Sequence, residues 1–107
     1  MSKVIEVTDA TFAAEVLQSD LPTLVDYWAD WCAPCKQLSP LIDELSEVYS
    51  DRMKFVKVDT NLNTGVAGSQ GIMALPTIQI FRNGQVVEQV QGGKTKMALT
   101  KLIEANI

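Results

Sequence analysis

The chain has 107 residues, with 9 Lys and Arg against 13 Asp and Glu, two Cys and no His. Without His there is no Ser-His-Asp or Cys-His catalysis and no imidazole-dependent zinc site, and two Cys are too few for a Cys₄ zinc or iron–sulfur site. The net charge of −4 argues against a nucleic-acid binder, and a chain of this length buries one hydrophobic core, so a single domain over residues 1–107 is expected.

Val4-Ile5-Glu6-Val7 reads as a short strand. Nothing near the N-terminus resembles a secretory signal, and no stretch approaches the roughly 20 apolar residues of a membrane span. A cytoplasmic protein is expected, or one of an organelle stroma if a transit peptide has been removed. Thr8 or Asp9 can cap a following helix, which places Phe12, Val16 and Leu17 on one face and ends at Ser19, Asp20 and Pro22. Thr23–Ala29 is apolar on both faces and predicts a central strand. A helix is expected from about Cys32–Pro34, with Leu38, Leu41, Ile42, Leu45 and Val48 as its apolar stripe. Pro40 lies inside it, removes one backbone bond and should kink it.

Lys54–Asp59 reads as the next strand, and the Gly- and Asn-rich segment Thr60–Gly71 as a weak helix at most. Thr77–Phe81 and Val86–Val90 flank Asn83-Gly84, a strong hairpin signal. Gly92-Gly93 breaks the chain, and Thr95 opens a last helix with Ala98, Leu99, Leu102 and Ile103 as its stripe. The order is β-α-β-α-β-α-β-β-α. Strands joined through helices favour parallel pairing, and the hairpin adds an antiparallel pair.

For the two cysteines there remain redox chemistry, a structural disulfide, half of a metal site shared between chains, or passive burial. Cys32-Ala33-Pro34-Cys35 lies between an apolar strand and an amphipathic helix. The unpaired N–H groups and dipole of a helix N-terminus favour an anion, and thiolate is the reactive form of cysteine. Cys32 should sit at the exposed end with a lowered pKa, and Cys35, one turn in, should be more buried. Spacing of three lets the two sulfurs meet on one face. Pro34 suits an early helical position, and Lys36 adds positive charge nearby. A structural disulfide closing so small a loop would restrict the unfolded chain little. The redox reading is therefore preferred, because CxxC at a strand–helix junction within a βαβ pattern is a strong signal.

Trp28-Ala-Asp-Trp31-Cys-Ala-Pro-Cys-Lys36 resembles the WCGPCK active-site segment of thioredoxins. The resemblance runs the length of the chain, through Val25-Asp26-Tyr27-Trp28, Lys57, Gly71-Ile72, Pro76-Thr77, Asn83-Gly84 and Gly92. It implies an α/β protein of the thioredoxin fold, with a mixed central sheet of about five strands flanked by about four helices. It also implies a general protein disulfide reductase with a Cys32–Cys35 disulfide, Cys32 as nucleophile and Cys35 as resolving thiol. Its implied partners are a thioredoxin reductase and disulfide-containing target proteins. No cofactor, metal, nucleic acid or membrane is implied, and a monomer is expected.

Asp26 interrupts an apolar strand, on one face with Leu24 and Trp28. Buried there, it would titrate high and act as general acid/base for Cys35; the alternative is an edge position or a hydrogen-bonded structural Asp. Lys57 either modulates Asp26, as the resemblance implies, or snorkels to solvent. The resemblance makes Pro76 cis, against the usual trans preference, with Ala74-Leu75 pairing with an extended substrate segment. Trp28 is read as packing beneath the loop, and Trp31 as an exposed lip of the docking surface. Ala33, Pro34 and Gly92 complete that surface, and Pro40 is read as structural support. Ala33, Asn63-Thr64, Gln70, Leu75, Gln79 and Gly93 depart from the family pattern, and a buried Gln79 would need a partner. The competing readings are a non-catalytic binding module and an oxidant or isomerase of the same fold.

Overall fold

In the computed structural model, which describes residues 1–107, the chain forms β1 (Ile5–Glu6), a π-helical turn (Ala13–Leu17), β2 (Thr23–Trp28) and α1 (Ala33–Tyr49). There follow β3 (Lys54–Asp59), α2 (Thr64–Ser69), β4 (Thr77–Arg82), β5 (Gln85–Gln91) and α3 (Lys96–Glu104). The strands make one sheet in the order β1-β3-β2-β4-β5. β2 is central, as its two apolar faces require. β3 runs parallel to it on one side, β4 antiparallel on the other. The helix-linked strands β3 and β4 do not pair with each other; α2 carries the chain across so that β4 lies beside β2. Asn83 and Gly84 both have positive φ, 54° and 78°, as a tight hairpin of matching twist demands. A Cβ on Gly84 would also lie 3.0 Å from the Leu17 carbonyl oxygen.

Two apolar layers cover the sheet. Leu24, Phe55, Ile78 and Ile80 pack against Leu38, Ile42, Leu45 and Tyr49 of α1 and Leu99 and Ile103 of α3. On the other face Val25, Tyr27, Val56, Val58 and Phe81 pack against Phe12, Val16 and Val66. The accessible surface is 5680 Å², close to the roughly 5,900 Å² that size scaling gives a monomer of this mass.

Three stripe assignments are corrected. Val48 is exposed, and Tyr49 takes its place in the core. At roughly 100° per residue, the line through Leu38, Ile42 and Leu45 passes through position 49 and leaves Val48 about a quarter turn aside. Leu17 is exposed because the segment winds as a π turn, with Gln18 N–H donating to the Ala13 carbonyl, and Leu17 rotates off the Phe12–Val16 face. Ala98 is exposed at the start of α3, whose buried line is Leu99 and Ile103. Thr95 caps that helix as expected, its hydroxyl accepting from Ala98 N–H. Asp9 caps a different helix: its carboxylate accepts from the N–H groups of Gly65 and Val66, at the start of α2. α1 continues through Pro40 as one element.

Candidate active site at the β2–α1 junction

Cys32 is the N-cap of α1, with Ala33 and Pro34 in its first turn, where a missing proline N–H is harmless. The Cys32 Sγ accepts from the Cys35 N–H at 3.2 Å, and Cys32 N–H donates to the Ala29 carbonyl. The two cysteines are joined by a disulfide, with Cα atoms 5.3 Å apart. Both are buried, at 4% and 3% exposure. The expected contrast between an exposed Cys32 and a buried Cys35 is absent, because Ala29, Trp28 and Leu75 pack around both.

Asp26 lies beneath this loop at 4% exposure, with Oδ1 buried and without a protein hydrogen-bond partner. Lys57 is its register neighbour on β3. Burial pushes the Asp26 carboxyl up to about 7; the Lys57 ammonium opposes the shift and Asp43 adds to it. A cleft of about 170 Å³ joins Asp26 to Cys35, and Trp28, Asp30, Lys36, Ser39 and Lys57 complete its walls. The Lys57 Nζ stands 5.7 Å from the centre of the Trp28 ring. Trp28 thus lines the cleft and also packs against the cysteine pair.

A second depression, of about 280 Å³, opens beside the disulfide between Trp31, Thr60, Ile72, Met73, Ala74 and Leu75. Trp31 is 70% exposed, its indole N–H directed at the Asn61 Oδ1 at 3.4 Å. The Leu75–Pro76 bond is cis, and Pro76 is buried at the head of β4. Gly92, with φ of 85°, donates its N–H to the Pro76 carbonyl. No atom lies within 4 Å of where a Gly92 Cβ would stand. Ala33 and Pro34 are exposed, and Pro34 borders a separate hollow with Gln37, Gly93 and Lys94. Pro40 is exposed and borders neither the cleft nor the Trp31 depression. The residues expected at the site therefore converge on one end of the sheet, Pro40 excepted.

The thioredoxin family's sequence model matches residues 3–105. The chain belongs to the thioredoxin family. It is 46% identical over 107 residues to Thioredoxin 1 of Synechococcus elongatus, and 45% identical over 107 residues to Thioredoxin 1 of Nostoc, covering 100% of each chain in both cases. It is 42% identical over 104 residues to a thioredoxin of Porphyra purpurea, covering 97% of each chain. The five-stranded mixed sheet, the helices and the paired cysteines are those of this fold. As a thioredoxin, the chain is a thiol–disulfide oxidoreductase with protein disulfide reductase function. Members of the family act on disulfide targets and are generally reduced by a thioredoxin reductase. No helix is long and apolar enough to cross a membrane.

Several residues that line the cleft or the depression, or touch Trp31, are not singled out by the sequence. Ser39 reaches the cleft from one turn beyond Cys35, a spacing of four that helical periodicity could have exposed. Asp30 lies in the loop between Trp28 and Trp31. Ile72 and Met73 extend the Ala74-Leu75 edge by simple adjacency. Thr60 and Asn61 had no local signal. Asn61 is placed by Asp59, whose carboxylate accepts from its N–H, and Thr60 by its own hydroxyl, which donates to the Trp28 carbonyl.

Proposed function

We propose that this disulfide reductase works through an ordered exchange in which the Cys32 thiolate attacks a target disulfide and Cys35 resolves the product. Attack forms a mixed disulfide with Cys32 and expels one target thiolate. Asp26 then takes the Cys35 proton, the Cys35 thiolate attacks the Cys32 sulfur, and the second target thiol leaves reduced. Two electrons have passed to the target, and the chain holds the Cys32–Cys35 disulfide.

The observation that carries this reading is the shared cleft. An unpartnered, buried Asp26 carboxyl with pKa near 7 opens onto Cys35, beneath a helix that Cys32 caps. A base whose pKa lies near the working pH transfers protons best. The helix N-terminus and the Cys35 N–H favour the Cys32 thiolate. Lys57 modulates Asp26 by holding its carboxyl below the value that burial alone would set.

The Trp31, Ala74, Leu75 and Pro76 surface, with Ala33, Pro34 and Gly92 at its margins, receives an extended segment of the target. Residues 1–107 act as one domain, a cytoplasmic monomer that binds neither nucleic acid nor membrane and needs no cofactor of its own. A thioredoxin reductase restores the dithiol. Insulin reduction coupled to NADPH and a thioredoxin reductase tests the reading. Turnover is expected, and its loss is expected in both Cys32→Ser and Cys35→Ser. Turnover that survives Cys32→Ser contradicts it.

A further inference from the structure

Met73 is 92% exposed, yet it borders the depression that Trp31, Ile72 and Leu75 also line. Leu75 in turn packs against the Cys32–Cys35 pair. The Met73 side chain therefore stands in solvent at the rim of a surface that Leu75 joins to the disulfide. We propose that Met73 is an oxidation-sensitive docking contact: a peroxide converts its thioether to the sulfoxide and thereby weakens reduction of protein targets without altering the disulfide chemistry. The inference rests on the reading of this depression as the seat of a target segment.

The chemistry is self-contained. The Met73 sulfur attacks one peroxide oxygen, an S–O bond forms and the O–O bond breaks. The sulfur loses two electrons, the peroxide is reduced, and the departing hydroxide takes the transferred proton to leave as water. An unbranched thioether adapts to varied apolar surfaces and packs well at the edge of an aromatic ring such as Trp31. The sulfoxide is polar and must be desolvated when a target covers it. In the oxidised chain no free cysteine competes for peroxide. Met53 is fully buried, whereas Met1 and Met97 are exposed but do not border the depression. Met1 lies by Glu47 of α1, and Met97 lies in the first turn of α3.

The test treats the disulfide form with hydrogen peroxide, removes it, and measures reduction of insulin and of bis(2-hydroxyethyl) disulfide against the untreated form. Mass spectrometry locates the added oxygen. The expected result is oxygen on Met73, a KM for insulin raised by about fivefold, and an unchanged rate with the small disulfide. Treated Met73→Leu should keep its own untreated KM, and treated Met97→Leu should lose as the wild type does. An equal loss in treated Met73→Leu overturns the proposal. So does an unchanged KM in wild type that carries the Met73 sulfoxide, or an unmodified Met73. Untreated Trp31→Ala separates the two levels of the argument. If it leaves the KM for insulin unchanged, the docking reading itself fails; if it raises that KM while Met73 oxidation does not, only the Met73 inference fails.

Discussion

Asp26 couples the chemistry of the site to the stability of the fold. Its carboxyl titrates near 7 when folded, against 3.8 for an ordinary Asp. Between those values the folded chain binds more protons than the unfolded one, so stability falls as pH rises through this window. Asp26→Asn mimics the protonated form and escapes that loss. Its stability advantage should be small near pH 4 and reach on the order of 4 kcal/mol at pH 8. Guanidinium unfolding of the oxidised proteins at the two pH values checks this, and an advantage independent of pH contradicts it. Gln79 raises a different residue-scale question, answered by its neighbours. Its Oε1 accepts from the Tyr27 hydroxyl at 2.7 Å, and its Nε2 donates to the Gln89 Oε1 at 2.9 Å. A polar residue in an apolar strand thus serves a buried tyrosine, whose phenol burial pushes well above its usual range. Gln79→Leu strands that hydroxyl and should cost about 1–3 kcal/mol, with most of it recovered in Gln79→Leu/Tyr27→Phe. Urea titrations of the single and double variants read this cycle; additive losses would contradict it. The sequence marked Gln79 as needing a partner, but Tyr27 lies 52 positions away and no local pattern joins them.

At the scale of elements, strand and helix identities were legible because apolar period and turn residues announce them. β2 reads as central from its two apolar faces, and Asn83-Gly84 names its own turn. What failed were statements that depend on partners. Val48 is a failure of another kind: the 100° period that aligns Leu38, Ile42 and Leu45 already runs through Tyr49, so that signal was present in the sequence. The π turn has no residue signature, so Leu17 was misplaced. Asp9 looked like a local cap, yet its carboxylate reaches α2 at 3.2 Å from Gly65 N and 2.8 Å from Val66 N. A Cβ at Gly65 would stand 3.0 Å from the same carboxylate, so the small residue and the cap go together. Asp9→Ala should destabilise the chain by about 1 kcal/mol, measured by urea unfolding, and an unchanged midpoint would show that the cap contributes nothing.

For the whole molecule, the site exists only because the topology gathers distant segments. β2 supplies Asp26 and Trp28, β3 supplies Lys57, α1 supplies Cys32 and Cys35, and the approach to β4 supplies Ala74, Leu75 and Pro76. The spacing of the cysteines and the buried Asp were legible, since each carries a local chemical signal. The cleft joining Asp26 to Cys35 was not, and neither was the placing of β4 antiparallel beside β2, because both arise from how the elements are laid together. The ordered exchange is the central claim, and trapping by single-cysteine variants tests it most directly. Reduced Cys35→Ser, incubated with a disulfide-bearing protein, should accumulate a mixed disulfide through Cys32 that dithiothreitol releases, while Cys32→Ser should trap none. Equal trapping by both variants, or trapping by Cys32→Ser alone, would contradict the assigned order of attack.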